Sequence, residues 1–296
     1  MTSSNASGGR WSDLDRPPLN TSVLRRALLL PDGLWSSLDV VASTGSTNSD
    51  LAARAGELPE GAVLVAEEQT SGRGRLDRTW SAPARSGLFL SVLLKPDVPA
   101  HRLGWLPLLT GVAAATGLVK AAGADLSLKW PNDLLVTIPK DSDKLRPGET
   151  PIGEERKAGG ILAERAGDDG IVVGLGINVS LRADELPVPT AGSLLLAGAV
   201  STDRDTLLRA VLRSLADWYG AWVRADGDPE ASGVLAAYTA DCATLGRRIR
   251  ADLPGERMLE GQALSLDGDG RLVVATEGGG TEAVGAGDIV HLRATG

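Results

Sequence analysis

The chain has 296 residues, 43% of them hydrophobic and 23% charged, enough for one large domain or for a large and a small one. A formal charge of −8 argues against broad, non-specific nucleic-acid binding, which needs a cationic face, but leaves room for a local cationic pocket. Cys242 is the single cysteine and His101 and His291 are the only histidines, which excludes an intramolecular disulfide, cysteine-based zinc sites and histidine-rich metal centres and leaves a buried thiol and two surface histidines as the expectation.

Residues 1–20 are rich in Ser, Gly, Asn, Asp and Pro. With a short helix over Leu24–Leu30 that stops at Pro31, they form an expected arm (1–35) ahead of a first strand, Leu38–Ala42. No secretory signal or membrane-length apolar run is seen, so a cytoplasmic protein is expected. Thr47 followed by Asp50 predicts a capped helix start leading into Ser49–Ala55. A buried strand, Ala62–Glu67, is followed by a long Gly/Arg-rich loop (69–86), a strand, Leu88–Leu94, and a helix, Leu103–Ala122. Strands Leu126–Trp130 and Leu134–Thr137 precede a charged, Pro- and Gly-containing insertion (138–156), read as a surface excursion. Ala158–Glu164 and Ile171–Val179 read as paired strands, and Thr206–Val223 and Ala231–Leu245 as helices. From Gly246 on, short alternating strands between Gly-rich turns suggest a barrel of SH3-like size. This order predicts an α+β catalytic domain (36–244) followed by a small β module (245–296).

Five segments carry residues suited to chemistry. In Gln69–Trp80, Gly72 and Gly74 allow close backbone approach, Arg73 and Arg75 offer planar donor forks for carboxylate or phosphate, and Trp80 offers a π-face for a base. Read alone, that segment favours a solvated loop, and its length and positive charge in an acidic protein shift the reading towards anion binding. In Lys129-Trp130-Pro131-Asn132-Asp133 a cation and two short polar side chains end a strand. Asn132 and Asp133 suit a hard cation such as Mg²⁺, or simply a turn. Lys157 precedes the pair Gly159-Gly160 in an apolar strand, and Gly174-Leu175-Gly176-Ile177-Asn178 repeats the glycine pattern with a polar Asn178 that needs a partner. Ser46-Thr47-Asn48 suits a helix cap, or a site for a urea-like or amide group.

In the order STGSTN, QTSGRGRLDRTW, KWPND, KAGGILAE, GLGINV, these segments resemble the biotin–protein ligase family over roughly residues 38–180, and more loosely through Arg293. The resemblance implies a catalytic domain like that of class II aminoacyl-tRNA synthetases, with a central mixed sheet. It implies ATP-dependent formation of biotinyl-5′-AMP, with Mg²⁺, and transfer of biotin to a lysine of the biotin carboxyl carrier domain of an acetyl-CoA or acyl-CoA carboxylase. By the same resemblance Ser46, Thr47, Asn48, Gln69, Gly72, Arg73, Gly74, Arg75, Lys157 and Gly160 would bind biotin. Arg73, Arg75, Trp80, Lys129, Asn132, Lys157 and Asn178 would bind the nucleotide or adenylate. Arg75, Lys157 and Asp133 would be catalytic, with Asp133 also the candidate Mg²⁺ ligand and a group that positions the attacking amine. Two departures stand out. About 35 residues precede the catalytic domain, which suggests a member without the DNA-binding domain of bifunctional ligases. The 138–156 insertion is also long. A lipoate–protein ligase, a non-enzymatic biotin sensor or repressor and a partner-docking scaffold are the rival readings.

Overall fold

The computed structural model describes residues 15–76, 78–139, 153–253, 255, 257–285 and 287–292. The first fourteen residues of the expected arm, most of the 138–156 insertion and Arg293 lie outside these. Helix α1 (Thr21–Leu28) starts three residues earlier than expected because Asn20 caps it, its side chain accepting from Val23 N at 3.2 Å.

Seven strands form a mixed sheet: β1 (Ser37–Val41), β2 (Ala62–Ala66), β5 (Gly87–Leu94), β6 (Leu126–Lys129), β7 (Asp133–Ile138), β8 (Glu154–Ala166) and β9 (Gly170–Asn178). Their order is β1-β2-β5-β9-β8-β7-β6, with β1 and β2 parallel and every other neighbour antiparallel. A two-stranded hairpin, β3 (Gly72–Arg73) with β4 (Thr79–Trp80), stands apart from it within the Gly/Arg loop. Strands β7 and β8 run further than the sequence suggested: Ile138 pairs with Glu154, so both ends of the expected insertion belong to the sheet.

Side-chain alternation divides the sheet into two faces. Val63 and Val65 of β2, Leu88, Leu90 and Val92 of β5, and Val173, Leu175 and Ile177 of β9 enter the main core. This core is covered by α3 (Trp105–Ala122), α4 (Arg204–Arg224) and α5 (Val234–Asp241). Leu64, Leu93 and Val172, one residue out of phase, join Leu51 and Ala55 in a smaller cluster under α2 (Thr47–Ala53). Between Val172 and Asn178 this second face holds only Gly174 and Gly176, so the sheet there is bare backbone. Residues Ala100–Ala122 are long and apolar enough for a membrane span by composition, but 72% of that window is buried, as befits a core helix between sheet and α4.

Arg204 and Glu67 form a nearly enclosed ion pair at 2.6 Å, with side chains 6% and 9% exposed. Glu67 also accepts from Leu19 N, and Arg204 donates to Pro17 O, so one pair ties the arm, β2 and α4 together. Removing either partner strands a buried charge at a cost of about 3–5 kcal/mol.

The C-terminal part is a five-stranded antiparallel sheet. It comprises β10 (Arg248–Leu253), β11 (Arg257–Leu266), β12 (Leu272–Thr276), β13 (Thr281–Val284) and β14 (Asp288–His291), in the order β13-β12-β11-β10-β14. Two indoles hold it to the catalytic part, Trp105 Nε1 donating to Gly268 O and Trp130 Nε1 to Gly270 O, at 2.9 and 3.1 Å. Arg247 grips Glu155 of β8 with two 2.6 Å hydrogen bonds. Cys242 is buried, as expected, and His101 is exposed. His291 departs from expectation: it is half-buried at this junction, 3.1 Å from Thr244 Oγ1 and 3.2 Å from Arg247 Nη1.

Burial, then the charges of Lys129 and Arg247, push the His291 pKa down from 6.5 to about 4, with Glu155 and Asp133 acting weakly in the opposite direction. The unfolded chain therefore binds this proton first as pH falls. Stability is full above pH 6.5 and declines towards pH 4. Melting temperatures at pH 7.5 and 5.5 are expected to differ less in a His291→Gln protein than in the parent. An unchanged difference would show that His291 is already charged in the fold.

Candidate active site

A cavity of about 520 Å³ lies on the bare face of the sheet, between the lid formed by residues 73–76 and 78–80, the floor of β8 and β9, residues 187–191, and Gly287–Ile289 of the β module. Of the residues expected to bind or react, Ser46, Thr47, Asn48, Gln69, Arg73, Gly74, Arg75, Trp80, Lys129, Asn132, Asp133, Lys157, Gly160 and Asn178 all line it. Gly72 does not: it pairs with Trp80 in the hairpin, and a Cβ there would stand 2.5 Å from the Trp80 carbonyl oxygen.

At one end, residues 44–45 run beside 68–71 through Thr44 N to Glu68 O, Thr70 N to Thr44 O and Ser71 N to Gly45 O. This brings Gln69 to the start of α2, where its Oε1 accepts from Thr47 N (2.8 Å) and Thr47 Oγ1 (3.1 Å). The cap itself is one residue earlier than the capping-box pattern suggested. Ser46 is the N-cap, and Asp50 instead accepts from Thr44 Oγ1. Thr47 and Asn48 thus fall in the first turn and are buried. Asn48 Nδ2 donates to Leu162 O and Glu164 Oε2, while its Oδ1 accepts from Ser91 Oγ at 2.6 Å; Ser91 Oγ also lies 2.7 Å from Thr47 Oγ1. Asn48 fits only because Gly174 has no side chain, since a Cβ there would come within 2.1 Å of Asn48 Oδ1.

The middle of the floor is the cross-strand pair Gly160–Gly176. The Trp80 indole lies against both, and a Cβ on Gly176 would meet the ring at 2.7 Å and one on Gly160 at 3.4 Å. Lys157 Nζ stands 5.9 Å from the centroid of that ring and 2.5 Å from Asp133 Oδ1. Trp80 Nε1 is buried and has no partner among the described residues, a donor left open beside the cavity.

The lid carries three arginines in different electrostatic states. Arg73 pairs with Glu164 at 3.0 Å, and Arg78 pairs bidentately with Asp288 of β14. Among the described residues, the Arg75 side chain has only the neutral Asn132 Oδ1, at 3.3 Å. Burial lowers the Arg75 pKa from its ordinary value, against the opposing fields of Asp133 and Asp288. A guanidinium remains charged despite such a shift, so Arg75 is a partly desolvated cation suited to an anion. Asn132 is fixed in turn, its Nδ2 donating to Ile161 O at 2.8 Å. Asn178 finds its partner in Gly192 O, anchoring the wall that contains Thr190 and Ala191.

Four contributors went unnoticed in the sequence: Ser91, Glu164, Arg78 and Asp288. Ser91 had a signal, being the one polar residue in GLFLSVLL, all of which is buried. Asp288 had none, because its place depends on how the β module docks.

The arrangement is one for joining two anions. A polar, hydroxyl- and amide-lined end is suited to a neutral head group, the glycine floor carries the Trp80 indole, and fixed cations stand at the far end. Comparison with known proteins agrees. Residues 39–179 match the biotin/lipoate A/B protein ligase family and residues 244–292 the biotin protein ligase C-terminal domain. The chain belongs to the biotin/lipoate A/B protein ligase family. It is 41% identical to the biotin–[acetyl-CoA-carboxylase] ligase of Mycobacterium tuberculosis over 94% of this chain and 97% of that protein. It is 30% identical to the bifunctional ligase/repressor BirA of Bacillus subtilis over 81% of this chain and 69% of that protein. Among solved structures, a biotin protein ligase from Aquifex aeolicus in complex with biotin and ATP aligns with a TM-score of 0.69 and 26% identity, covering 88% of this chain and all of that one.

Gly176→Ala is expected to displace the Trp80 indole and lower ligase activity by about tenfold or more while the melting temperature moves only a few degrees. Gly56→Ala, where a Cβ meets nothing within 4 Å, serves as the control and should leave activity unchanged. Full activity in Gly176→Ala would show that the bare floor is dispensable.

Proposed function

We propose that the chain is a biotin–protein ligase that forms biotinyl-5′-AMP from biotin and ATP, then passes the biotin to a lysine of a carboxylase's biotin carboxyl carrier domain. The observation that carries this reading is the pair Arg75 and Lys157, two cations converging on one cavity whose opposite end is the Thr47–Asn48–Gln69–Ser91 network.

The polar end suits the ureido head group of biotin, with Thr47, Asn48, Gln69 and Ser91 already oriented by one another, and the Trp80 indole, seated on the Gly160–Gly176 floor, offers an apolar face for the valeryl chain. In adenylation the biotin carboxylate oxygen attacks the α-phosphorus and pyrophosphate leaves. The barrier is largely the repulsion of two anions, which Arg75 and Lys157 offset by fixed positive charge held in place before reaction. Trp80, Asn132, Lys129 and Asn178 flank the nucleotide end. Mg²⁺ arriving with the nucleotide would neutralise phosphate charge. No group of three His, Cys, Asp or Glu gathers among the described residues, so such an ion depends on phosphate and water oxygens, with Asp133 the protein carboxylate that fits. In transfer, the lysine nitrogen bonds to the acyl carbon, the bond to AMP breaks, and the lid keeps water from the mixed anhydride.

A lipoate ligase shares this logic. The 41% identity over nearly the whole chain to a protein named as a biotin ligase favours biotin. The proposal is confined to ligation, in the cytoplasm where ATP and carboxylases are found, and includes no DNA-reading role.

Incubation with biotin, MgATP and a biotin carboxyl carrier domain should add the mass of one biotin to that domain, measured by mass spectrometry. Arg75→Ala and Lys157→Ala should each lower the biotin-dependent ATP–pyrophosphate exchange about a hundredfold or more. A mass gain with lipoate and none with biotin would refute the assignment. Asp133→Asn distinguishes two roles for that carboxylate. Its ion pair with Lys157 predicts slowing of both half-reactions alike, whereas loss confined to transfer would assign it to the attacking amine.

A further inference from the structure

Three oxygen-to-oxygen contacts run in a chain across the polar end of the cavity. Asn48 Oδ1 lies 2.6 Å from Ser91 Oγ, Ser91 Oγ 2.7 Å from Thr47 Oγ1, and Thr47 Oγ1 3.1 Å from Gln69 Oε1. Both ends of this chain can only accept. Asn48 Nδ2 faces Leu162 O and the Glu164 carboxylate, two acceptors, so the amide atom turned to Ser91 is the oxygen. Thr47 N can only donate, so the Gln69 atom it meets at 2.8 Å is likewise the oxygen. Between these fixed ends stand two hydroxyls with one proton each, so two hydrogens serve three contacts and the chain is one hydrogen short. Building on the ligase reading, we infer that Ser91 sets the hydrogen-bond polarity of the head-group site. It holds Thr47 as an acceptor, so that the site takes a ring by its N–H and rejects one that offers an oxygen in the same place.

The Ser91 proton belongs on Asn48 Oδ1, because that contact is the shortest and two bare oxygens would repel most there. The Thr47 proton then goes to Ser91 Oγ or to Gln69 Oε1. Either way it points back into the chain, and Thr47 Oγ1 turns a lone pair to the cavity. Turning that proton outward would leave two contacts without hydrogen instead of one. Ser91, Thr47 and Asn48 are at most 4% exposed, so water does not make up the loss. A ligand N–H reaching Thr47 Oγ1 and Gln69 Oε1, both on residues that line the cavity, supplies the missing hydrogen and leaves the Thr47 proton on Ser91.

Ser91 acts from behind. It is fully buried on β5, one residue out of phase with the core residues Leu90 and Val92. Its cross-strand neighbour is Gly174, whose missing side chain gives the Asn48 amide room to reach it. Ser91 is therefore a positioning residue, and Thr47 is the group that meets the ligand.

The test measures ATP–pyrophosphate exchange in the full chain with biotin and with its two cyclic-carbamate analogues, each carrying a ring oxygen in place of one ureido N–H. The parent should prefer biotin over one of the two by about a hundredfold or more in kcat/KM. Ser91→Ala removes the acceptor that holds the Thr47 proton, leaving that hydroxyl free to donate to a ring oxygen. The preference should then fall about tenfold or more. Ser91→Cys keeps the bulk with a weak donor and acceptor and should fall between, and it decides the matter where Ser91→Ala does not fold. Loss of packing alone would lower exchange with all three ligands by one factor. A preference unchanged in the Ser91 variants, or a parent that uses both carbamates as well as biotin, would overturn the inference. A parent that exchanges with none of the three would instead overturn the ligase reading itself.

Discussion

The site depends on a close approach that only glycine permits. Trp80 can lie on the sheet because Gly160 and Gly176 are paired across β8 and β9 with no side chain between ring and backbone. Each glycine in a strand costs roughly 0.5–1 kcal/mol relative to alanine, and the open indole N–H adds roughly 1–3 kcal/mol. These costs are concentrated at one place and fall on a single face. The opposite face of the same strands is packed with Val173, Leu175 and Ile177 and anchors the core. One strand therefore serves stability on its odd positions and binding on its even ones.

The lid, floor and β module form one electrostatic unit. Arg73 and Arg78 are held by carboxylates on opposite sides, Glu164 from the sheet and Asp288 from the β module. Exposed pairs of this kind contribute little stability, typically less than 1 kcal/mol. Their value is positional, because they hold the lid over the cavity at little cost and release readily to a stronger anion. Arg75, given only an amide, is the lid cation that needs no release. The contrast with Arg204–Glu67 is instructive: that pair is enclosed, joins three parts of the fold, and has no route to exchange.

Much of this was readable in the sequence because the informative residues are local. Gly-Gly and Gly-x-Gly in apolar strands announce backbone exposed to a partner, and the arginine spacing announces an anion. The gathering of fourteen expected residues around one cavity follows from those segments, whereas the mixed sheet was expected from the family resemblance they carry. What escaped were features that arise between segments. The helix cap fell on Ser46 because Thr47 is drawn inward by Gln69, a residue 22 positions away. His291 looked like a surface residue because nothing nearby in the chain reveals that β14 lies against Thr244 and Arg247. Glu164 and Asp288 gain meaning only from the arginines they face.

The joint between the two parts has a consequence for how such a protein can change over time. Trp105 and Trp130 grip the turn at Gly268 and Gly270 by its carbonyl oxygens, not by its side chains. Backbone acceptors are the same whatever residue carries them, so mutation in this turn is filtered mainly by the left-handed geometry at Gly270, where φ is +80°. Asp267 is tied into the turn, its side chain accepting from Asp269 N and Arg271 N, but Asp269 is freer to drift, and with it the charge that the turn presents to a visiting protein, while the docking of the two parts stays fixed. Descendants of one ancestral enzyme can thus diverge in the company they keep without relearning how to fold.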